Sequence, residues 1–187
     1  MRLHLPYGKT ELEYDFPEKT GVITSHIDSL AGDKPGLELV REAMENPIGT
    51  PHLYELAKGK GTAVVIISDH TRPVPSRDIL PNMLRELRQG NPDIDITLLV
   101  ATGCHRETTK KELESKLGSE IFSSEKIVVH DCDNKAGNVQ VGILPSGAPL
   151  VIDKLAVDAD LVVAEGFIEP HFFAGFSGGR KSILPGI

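Results

Sequence analysis

The sequence has only two cysteines, no tryptophan and no apolar run long enough to cross a membrane. Two cysteines are too few for a disulfide-built scaffold and favour a reduced compartment. We expect both, Cys104 and Cys132, to be small buried residues. A spanning helix needs about 20 apolar residues, and the N-terminus alternates polar and apolar side chains instead of forming a signal peptide. These absences predict a soluble, cytoplasmic protein with no membrane partner.

The sequence also lacks a stripe of basic residues. It has 27 acidic and 20 basic side chains, which give a formal net charge of -7, and no Lys/Arg cluster that could follow a phosphate backbone. We therefore do not expect nucleic acid as a partner. What the 187 residues do contain is 40% hydrophobic side chains, enough for one globular core. The length predicts a single domain over residues 1–187.

Four apolar, β-branched segments are typical of parallel strands buried on both faces of a sheet. They are residues 62–68, 94–100, 126–130 and 161–165. Apolar residues at helical spacing predict helices at 77–89 and 108–117 between them, and strands that alternate with helices in this way form β-α-β units.

Shorter elements complete the predicted fold. Two further helices are expected at residues 35–46 and 51–57, the second with proline in its first turn. Period-two alternation predicts one hairpin from residues 2–8 and 11–16 and another from 138–144 and 149–152. The fold class is therefore α/β, with a mostly parallel, Rossmann-like layered sheet and added hairpins at one edge.

Polar clusters follow each of the four predicted strands. They are residues 68–73, 102–106, 130–134 and 165–182. In an open α/β sheet the carboxyl ends of parallel strands lie on one side, where ligand crevices form. The sequence therefore predicts that four of its seven histidines face one region.

Taken alone, each of the first three clusters has an ordinary structural explanation. Asp69 could cap the following helix, and Arg72 could pair with an acid on the surface. A lone His105 is more typical of a satisfied polar residue than of a catalyst. His130 and Asp131 are more typical of a structural, hydrogen-bonded role.

The fourth cluster is a glycine-rich loop that holds half of the six phenylalanines. Its members are Phe172, Phe173, Gly175, Phe176, Gly178, Gly179, Arg180, Lys181 and Ser182. The glycines permit close approach of the backbone, and the basic residues bring positive charge, so the loop predicts a phosphate-bearing ligand. It is not a Walker A loop, because Arg180 stands where the second glycine should precede Lys181-Ser182, and no G-x-G-x-x-G pattern is present.

Together these motifs resemble those of the nickel-dependent lactate racemase family. The resemblance is carried, in this order, by residues 69–73 (Asp-His-Thr-Arg-Pro), 102–106 (Thr-Gly-Cys-His-Arg) and 169–186. It implies a nickel-pincer nucleotide cofactor, a pyridinium mononucleotide derived from nicotinic acid and joined to a lysine as a thioamide. Lys181 matches that lysine, and Asp69, Gly178 and Gly179 are the other residues expected to bind the cofactor.

The resemblance also implies a reaction, the racemisation of a small 2-hydroxy acid such as lactate. Hydride leaves the carbinol carbon while a base takes the hydroxyl proton, and its return to the other face of the planar 2-keto acid inverts the centre. His105 and His171 match the two family histidines that act as alternate acid and base. Arg72 is expected to bind the substrate carboxylate, with Arg106 as the alternative.

The chain departs from the family at its end. Family members continue into a second domain with a nickel-ligating histidine, which is expected beyond Ile187, so no metal ligand is expected within this chain. The ending after a glycine-rich loop predicts an N-terminal catalytic and cofactor-binding domain that precedes the missing domain. Such a fragment should not turn over alone. The sequence does not determine the oligomeric state, and a homo-oligomer is compatible with it.

Two other function classes remain. One is a metal-dependent hydrolase or lyase that binds a zinc-like ion through Asp69, His70, His105 and His171, although no H-E-x-x-H motif supports it. The other is a non-catalytic nucleotide-binding domain whose glycine-rich loop cradles a phosphate. A zinc site should bind its metal in the purified apo chain, whereas a pincer site should need an organic adduct on Lys181. Ligand binding that does not depend on His105 or His171 would favour the nucleotide-binding domain.

Overall fold

The computed structural model describes residues 1–30, 32–172 and 175–187. The chain divides into two compact units, Met1–Asp33 and Lys34–Ile187. The single domain expected over residues 1–187 stays a prediction.

The first unit is built on an antiparallel hairpin. Its strands are β1 (Arg2–Tyr7) and β2 (Thr10–Asp15), followed by a short 3-10 turn at Ile27–Leu30. Arg2 lies opposite Asp15, and its guanidinium donates two hydrogen bonds to that carboxylate, at 3.0 and 2.9 Å. The predicted hairpin is confirmed.

The second unit alternates helices and strands. Its helices are α1 (Gly36–Glu45), α2 (Leu53–Leu56), α3 (Ser76–Gly90), α4 (Lys110–Leu117), α5 (Ser119–Ser124) and α6 (Lys154–Asp158). Its strands are β3 (Thr62–Ser68), β4 (Asp95–Ala101), β5 (Lys126–Val129), β6 (Asn138–Ile143), β7 (Pro149–Asp153), β8 (Leu161–Ala164), β9 (Pro170–His171) and β10 (Gly175–Phe176), and a 3-10 turn covers Gly179–Ser182.

Four of these strands form one parallel sheet in the order β5-β4-β3-β8. The chain first builds outward from β3 through β4 to β5 and then returns to the other side of β3 with β8. Strand order therefore reverses between β3 and β8, and open α/β sheets bind ligands at the carboxyl ends of such strands. The predicted α/β fold with a mostly parallel sheet is confirmed.

The two faces of the sheet are covered differently. Alternate residues of β3 and β4, among them Val65 and Leu98, pack with α3, α4 and α5 into the larger core. Val64, Ile66 and Leu99 point to the other face, where they meet Ile152, Ala156 and Ile187. Right-handed crossovers on opposite sides of β3 require coverage on opposite faces, which explains this division.

The second hairpin differs from the prediction in one respect. β6 and β7 pair with each other as a separate two-stranded sheet and do not extend the edge of the parallel sheet. The reason is the burial of Ile152, which turns β7 towards the face of the sheet.

Among the described residues, no helix is long and apolar enough to cross a membrane.

Candidate functional site

A cavity of about 250 Å³ lies at the carboxyl ends of β3, β4 and β8. The segments that follow these strands form its walls, and the glycine-rich segment closes it. The predicted site residues in its lining are Asp69, Arg72, His105, Gly178 and Lys181. These side chains therefore meet at the carboxyl ends of the strands, where strand order reverses.

The loop after β3 holds Asp69 in a fixed position. Asp69 is 1% exposed, and its Oδ1 accepts hydrogen bonds from the backbone N–H (3.0 Å) and the hydroxyl (2.7 Å) of Thr71. Lys116 supports the loop from outside by donating to the carbonyl of Arg72 at 3.0 Å. The next helix begins only at Ser76. The capping role that Asp69 could have had is therefore wrong.

The other carboxylate oxygen of Asp69 contacts His105. Oδ2 lies 2.5 Å from Nδ1 of the imidazole, whose side chain is 46% exposed. Burial alone would raise the pKa of Asp69, but the hydrogen bonds from Thr71 and His105 outweigh it and lower that pKa. An ionised Asp69 engages Nδ1, which leaves Nε2 as the ring nitrogen able to exchange a proton with a ligand.

The glycine-rich segment approaches the cavity through its backbone. Gly178 has a φ of 77°, and a Cβ at this position would lie 2.7 Å from the carbonyl oxygen of Phe167. Gly179 has a φ of 54° but does not belong to the cavity lining. The turn that follows is closed by the hydrogen bond from the Lys181 N–H to the Gly178 carbonyl, at 3.1 Å.

Lys181 is half-buried and lines the cavity. In the part of the chain that the structure describes, its ammonium forms no ion pair, although Arg2, Arg41, Arg88 and Arg106 all pair with acids. An amine that faces a cavity without an acidic partner is available to a ligand.

The structure distinguishes the two arginines that could bind a substrate carboxylate. Arg72 lines the cavity, and among the described residues its guanidinium makes one hydrogen bond, a 3.1 Å donation to the Thr71 hydroxyl. Arg106 makes two hydrogen bonds with Glu112, at 3.0 and 2.6 Å, which raise the pKa of Arg106 further. Glu112 is itself fixed by the capping box of α4. The geometry therefore favours Arg72 as the ligand-binding arginine.

His171 is not brought into the cavity lining. It lies on β9, which pairs with β10, and its ring stacks on Phe172 with the ring centroids 5.2 Å apart. Phe173, the third aromatic of the predicted loop, lies outside the described residues. The structure therefore unites Asp69 with His105 and leaves His171 on the neighbouring ribbon.

A second buried carboxyl group at the cavity was not singled out from the sequence. Glu165 is 4% exposed and lines the cavity, and its Oε1 accepts a 2.6 Å hydrogen bond from the Ser76 hydroxyl. Burial raises the pKa of Glu165. Its position in the sequence could have identified it as a site residue, because Glu165 follows β8 directly, as Asp69 follows β3.

A second histidine–aspartate pair has a structural setting. Nδ1 of His130 lies 2.9 Å from Oδ2 of Asp153, both residues are buried, and the Thr102 hydroxyl donates to the His130 carbonyl at 2.7 Å. Neither partner lines the cavity at the strand ends. This agrees with the structural role expected of His130.

The cysteines correct one expectation, and the metal-ligand alternative gains no geometric support. Cys104 and Cys132 are exposed, not buried, because both lie in loops beyond the strand ends. Within residues 1–30, 32–172 and 175–187, no three His, Cys, Asp or Glu side chains converge as metal ligands. His70 instead contacts the Thr108 hydroxyl, 3.0 Å from its Nδ1.

Comparison with known proteins gives consistent matches. The model of the lactate racemase N-terminal domain family matches residues 7–187. The lactate racemase of Thermoanaerobacterium thermosaccharolyticum is 52% identical and that of Lactiplantibacillus plantarum 48%, each over 187 residues and 99% of this chain. The chain spans 44% of the length of both relatives.

Solved structures agree with the sequence matches. The lactate racemase apoprotein from T. thermosaccharolyticum superposes with a TM-score of 0.89 at 51% identity, over 100% of this chain and 44% of that one. A Thermotoga maritima protein superposes with a TM-score of 0.65 at 26% identity, over 83% of this chain and 39% of that one. The chain therefore belongs to the lactate racemase N-terminal domain family.

Proposed function

We propose that this chain is the cofactor-binding and proton-transferring part of a racemase that inverts the carbinol carbon of lactate or a similar 2-hydroxy acid. The observation that carries the proposal is the meeting of the Asp69–His105 pair and the Lys181 amine at one cavity. Two relatives, 52% and 48% identical to this chain over 187 aligned residues, are named lactate racemases.

His105 is suited to take the proton of the substrate hydroxyl. Its Nδ1 is engaged by a buried carboxylate, so its Nε2 is the basic nitrogen. When Nε2 gains a proton, the negative charge of Asp69 stabilises the imidazolium 2.5 Å away. Asp69 thus acts through His105 as a positioning residue in addition to its expected contact with the cofactor.

Arg72 is the residue proposed to bind the substrate carboxylate. Arg72 lines the cavity beside Asp69, and among the described residues its guanidinium makes one hydrogen bond, to the neighbouring Thr71 hydroxyl. A planar guanidinium can hold a carboxylate through two parallel hydrogen bonds and so fix the plane of the substrate.

The residues at the cavity fit a nickel-pincer nucleotide bound covalently at Lys181. The amine has no acidic partner in the described residues, and the absence of a side chain at Gly178 lets the turn that carries Lys181 pack closely against the Phe167 backbone at the cavity. Gly179 gives the turn its positive φ. When bound, this cofactor would supply the acceptor and donor of hydride that the inversion needs.

The cavity is also smaller than a complete small-molecule site. Its volume of about 250 Å³ is below the range of about 300–1,000 Å³ that such pockets have. We infer that the remaining part of the protein completes the crevice and that this chain alone binds the cofactor but does not turn over substrate.

His171 is proposed as the base for the other enantiomer. It lies on the β9–β10 ribbon, in the same segment that leads from Glu165 to Gly178 at the cavity. For this role the ring must turn from its stack on Phe172 towards the substrate. The proposal therefore includes a rearrangement of this ribbon when the cofactor binds.

The first experiment tests the cofactor. Full-length protein is co-produced with enzymes that synthesise the pincer cofactor, and its intact mass and the peptide that contains Lys181 are measured. We expect a nickel-bearing adduct on Lys181 and none on a Lys181→Arg variant, which keeps the positive charge. An unmodified Lys181 in folded wild-type protein would contradict the proposal and favour a plain nucleotide-binding domain.

The second experiment separates the two histidines. Single-turnover formation of 2-keto acid is measured from each lactate enantiomer with His105→Gln and His171→Gln variants that carry the cofactor. We expect each variant to lose about 10²- to 10⁴-fold in rate with one enantiomer and much less with the other. Equal losses with both enantiomers would contradict the assignment of one base to each enantiomer.

A further inference from the structure

Two buried polar atoms at the cavity have no hydrogen-bond partner among the described residues. They are Oε2 of Glu165 and Oγ of Ser68, and both residues line the cavity. Buried polar atoms in native proteins are nearly always paired, so two unpaired atoms in one cavity indicate a ligand that pairs with them. Glu165 is only 4% exposed, so its side chain has little contact with bulk solvent.

The sheet holds these two side chains side by side. Ser68 is the last residue of β3, Glu165 follows β8, and the two strands are hydrogen-bonded neighbours with Ile66 opposite Ala164. The N–H of Glu165 donates to the carbonyl of Ile66 at 3.0 Å, which extends the ladder by one residue. Both side chains therefore lie on rigid strand ends and not on a mobile loop.

Ser76 fixes which oxygen of Glu165 is available. The Ser76 hydroxyl donates to Oε1 at 2.6 Å and lies on α3, outside the cavity lining. Oε1 is thereby bound on the protein side. The Ser68 backbone N–H lies close enough to the carboxylate to favour its ionised form, but it makes no hydrogen bond of good geometry with Oε2, which is left for a ligand. Lys116 is near enough to act on Glu165 electrostatically, but no hydrogen bond joins them among the described residues.

The chemistry of this pair selects against anions. Oε2 of Glu165 accepts hydrogen bonds when the group is ionised and donates one when it is protonated, and the buried, ionised Asp69 lines the same cavity. Arg72 and Lys181 line the same cavity, but among the described residues neither forms an ion pair or hydrogen bond with Glu165, and Lys116 lies outside the lining. A phosphate or carboxylate placed at Oε2 itself would therefore meet like charge. A neutral hydroxyl can donate to Glu165 and both donate to and accept from Ser68.

We propose that Glu165 and Ser68 bind a neutral ligand hydroxyl, and that this hydroxyl belongs to the ribose of the nucleotide. The inference rests on the proposed function, since it requires a nucleotide at the cavity. The other source of a hydroxyl is the 2-hydroxy acid, whose hydroxyl lies on the carbon next to its carboxylate. The hydroxyl of the 2-hydroxy acid could not contact Glu165 unless the negatively charged carboxylate of the same molecule also came close to Glu165. The ribose hydroxyls are separated from the phosphate and satisfy both atoms.

The experiment compares two probes on full-length protein prepared without the cofactor. Nicotinic acid mononucleotide and its 2′,3′-dideoxy analogue are titrated calorimetrically. The ratio of their dissociation constants measures what the ribose hydroxyls contribute. We expect the ribonucleotide to bind wild type about tenfold more tightly, as one or two hydrogen bonds would produce. Equal binding of the two probes, or no binding of either, would overturn the inference.

Variants of Glu165 and Ser68 show which residue is responsible for the effect of the ribose hydroxyls on binding. Glu165→Met keeps the length of the side chain without a polar atom, and we expect its ratio to fall to about one, with partial recovery in Glu165→Gln. Ser68→Ala is a smaller change, so it tests the inference even if Glu165→Met does not fold. We expect it to lower the ratio of dissociation constants by about threefold. The matched control is Glu86→Met, because Glu86 is also a buried glutamate with an unpaired Oε2 but lies outside this cavity. An unchanged ratio in folded Glu165→Met overturns the inference.

A second arm distinguishes the source of the hydroxyl. Lactate and propanoate are titrated into the same proteins. A hydroxyl-dependent preference for lactate that disappears in Glu165→Met would assign the pair to the substrate and overturn the ribose assignment. Failure here is distinct from failure of the proposed function, which is decided by the adduct on Lys181. That adduct can form whether or not Glu165 contributes.

Discussion

Oδ2 of Asp69 lies 2.5 Å from Nδ1 of His105, and the carboxylate is buried while the imidazole is half exposed. Thr71 holds the other oxygen of the same carboxylate through its hydroxyl and its backbone N–H. The base is thus oriented by an acid that is itself held in place. The expected contributions of Asp69 and His105 to catalysis are therefore coupled.

The coupling predicts the effect of Asp69→Asn on the full-length enzyme with its cofactor. Asparagine has one acceptor oxygen where the carboxylate uses two, towards Thr71 and His105, and it removes the charge that stabilises the imidazolium. We therefore expect kcat to fall by about 10²-fold or more while KM changes little. Steady-state racemisation of lactate measures both constants. Thr71→Val removes the hydroxyl that donates to Asp69 and accepts from Arg72 but keeps the charge of Asp69, so it is the control and should lower kcat much less. A variant with wild-type kcat would contradict the coupling.

The same pair predicts a dependence of stability on pH. The pKa of Asp69 is lowered in the folded protein by hydrogen bonds from Thr71 and His105 that exceed the effect of burial. Its contribution to the free energy of unfolding is therefore present above the unfolded pKa of about 4 and is lost as the pH falls through the folded value. Thermal denaturation between about pH 3 and 7 should show a shallower acid-side decline for Asp69→Asn than for wild type. Parallel curves would contradict this.

Much of the fold was predictable because its main signals are local. The β-branched runs at residues 62–68 and 94–100 became buried parallel strands, and the helix predicted at 77–89 became α3. The helices α5 and α6 were not predicted. α5 has only six residues and follows α4 directly across Gly118, and α6 has five residues that begin at the side-chain cap of Asp153. Such short helices depend on tertiary packing more than on a periodic pattern.

The site was predictable where its residues end buried strands. Asp69, Arg72 and His105 follow β3 and β4, so the topology alone brings them to one edge. His171 could not be located in this way, because it lies on a two-residue strand whose course depends on pairing with β10. Glu165 was passed over because burial and an unpaired oxygen cannot be read from residue type.

Glu165 predicts a pH effect of opposite sign to that of Asp69. Burial raises its pKa in the folded protein, so between the unfolded value of about 4.3 and the folded value the native state binds more protons than the unfolded state. The stability contributed by Glu165 should therefore decrease as the pH rises through this window. Glu165→Gln stays neutral and should gain stability relative to wild type with increasing pH. A constant difference in melting temperature from about pH 4 to 8 would contradict the assignment.

Asp153 has two structural roles that substitutions can separate. It caps α6 by accepting from the Leu155 N–H at 3.0 Å, and it pairs with the buried His130. Asp153→Asn keeps the cap and weakens the pair, so we expect a loss of about 1 kcal/mol in the free energy of unfolding. Asp153→Ala loses both and should cost about 2–3 kcal/mol. Urea denaturation measures the two values, and equal losses would show that the cap contributes nothing.

Gly178 and Gly179 form a matched pair for testing the glycine-rich turn. Both have positive φ, 77° and 54°, but only at Gly178 would a Cβ meet another atom closely, the carbonyl oxygen of Phe167 at 2.7 Å. Gly179→Ala should therefore cost only the backbone strain of about 1–2 kcal/mol. Gly178→Ala adds a steric conflict with backbone that cannot rotate away, so the turn must move. We expect it to lower the free energy of unfolding further and to weaken binding of nicotinic acid mononucleotide, because the displaced turn carries Lys181. Urea denaturation and calorimetry on both variants would measure this, and equal effects at the two positions would show that the close approach to Phe167 does not shape the cavity.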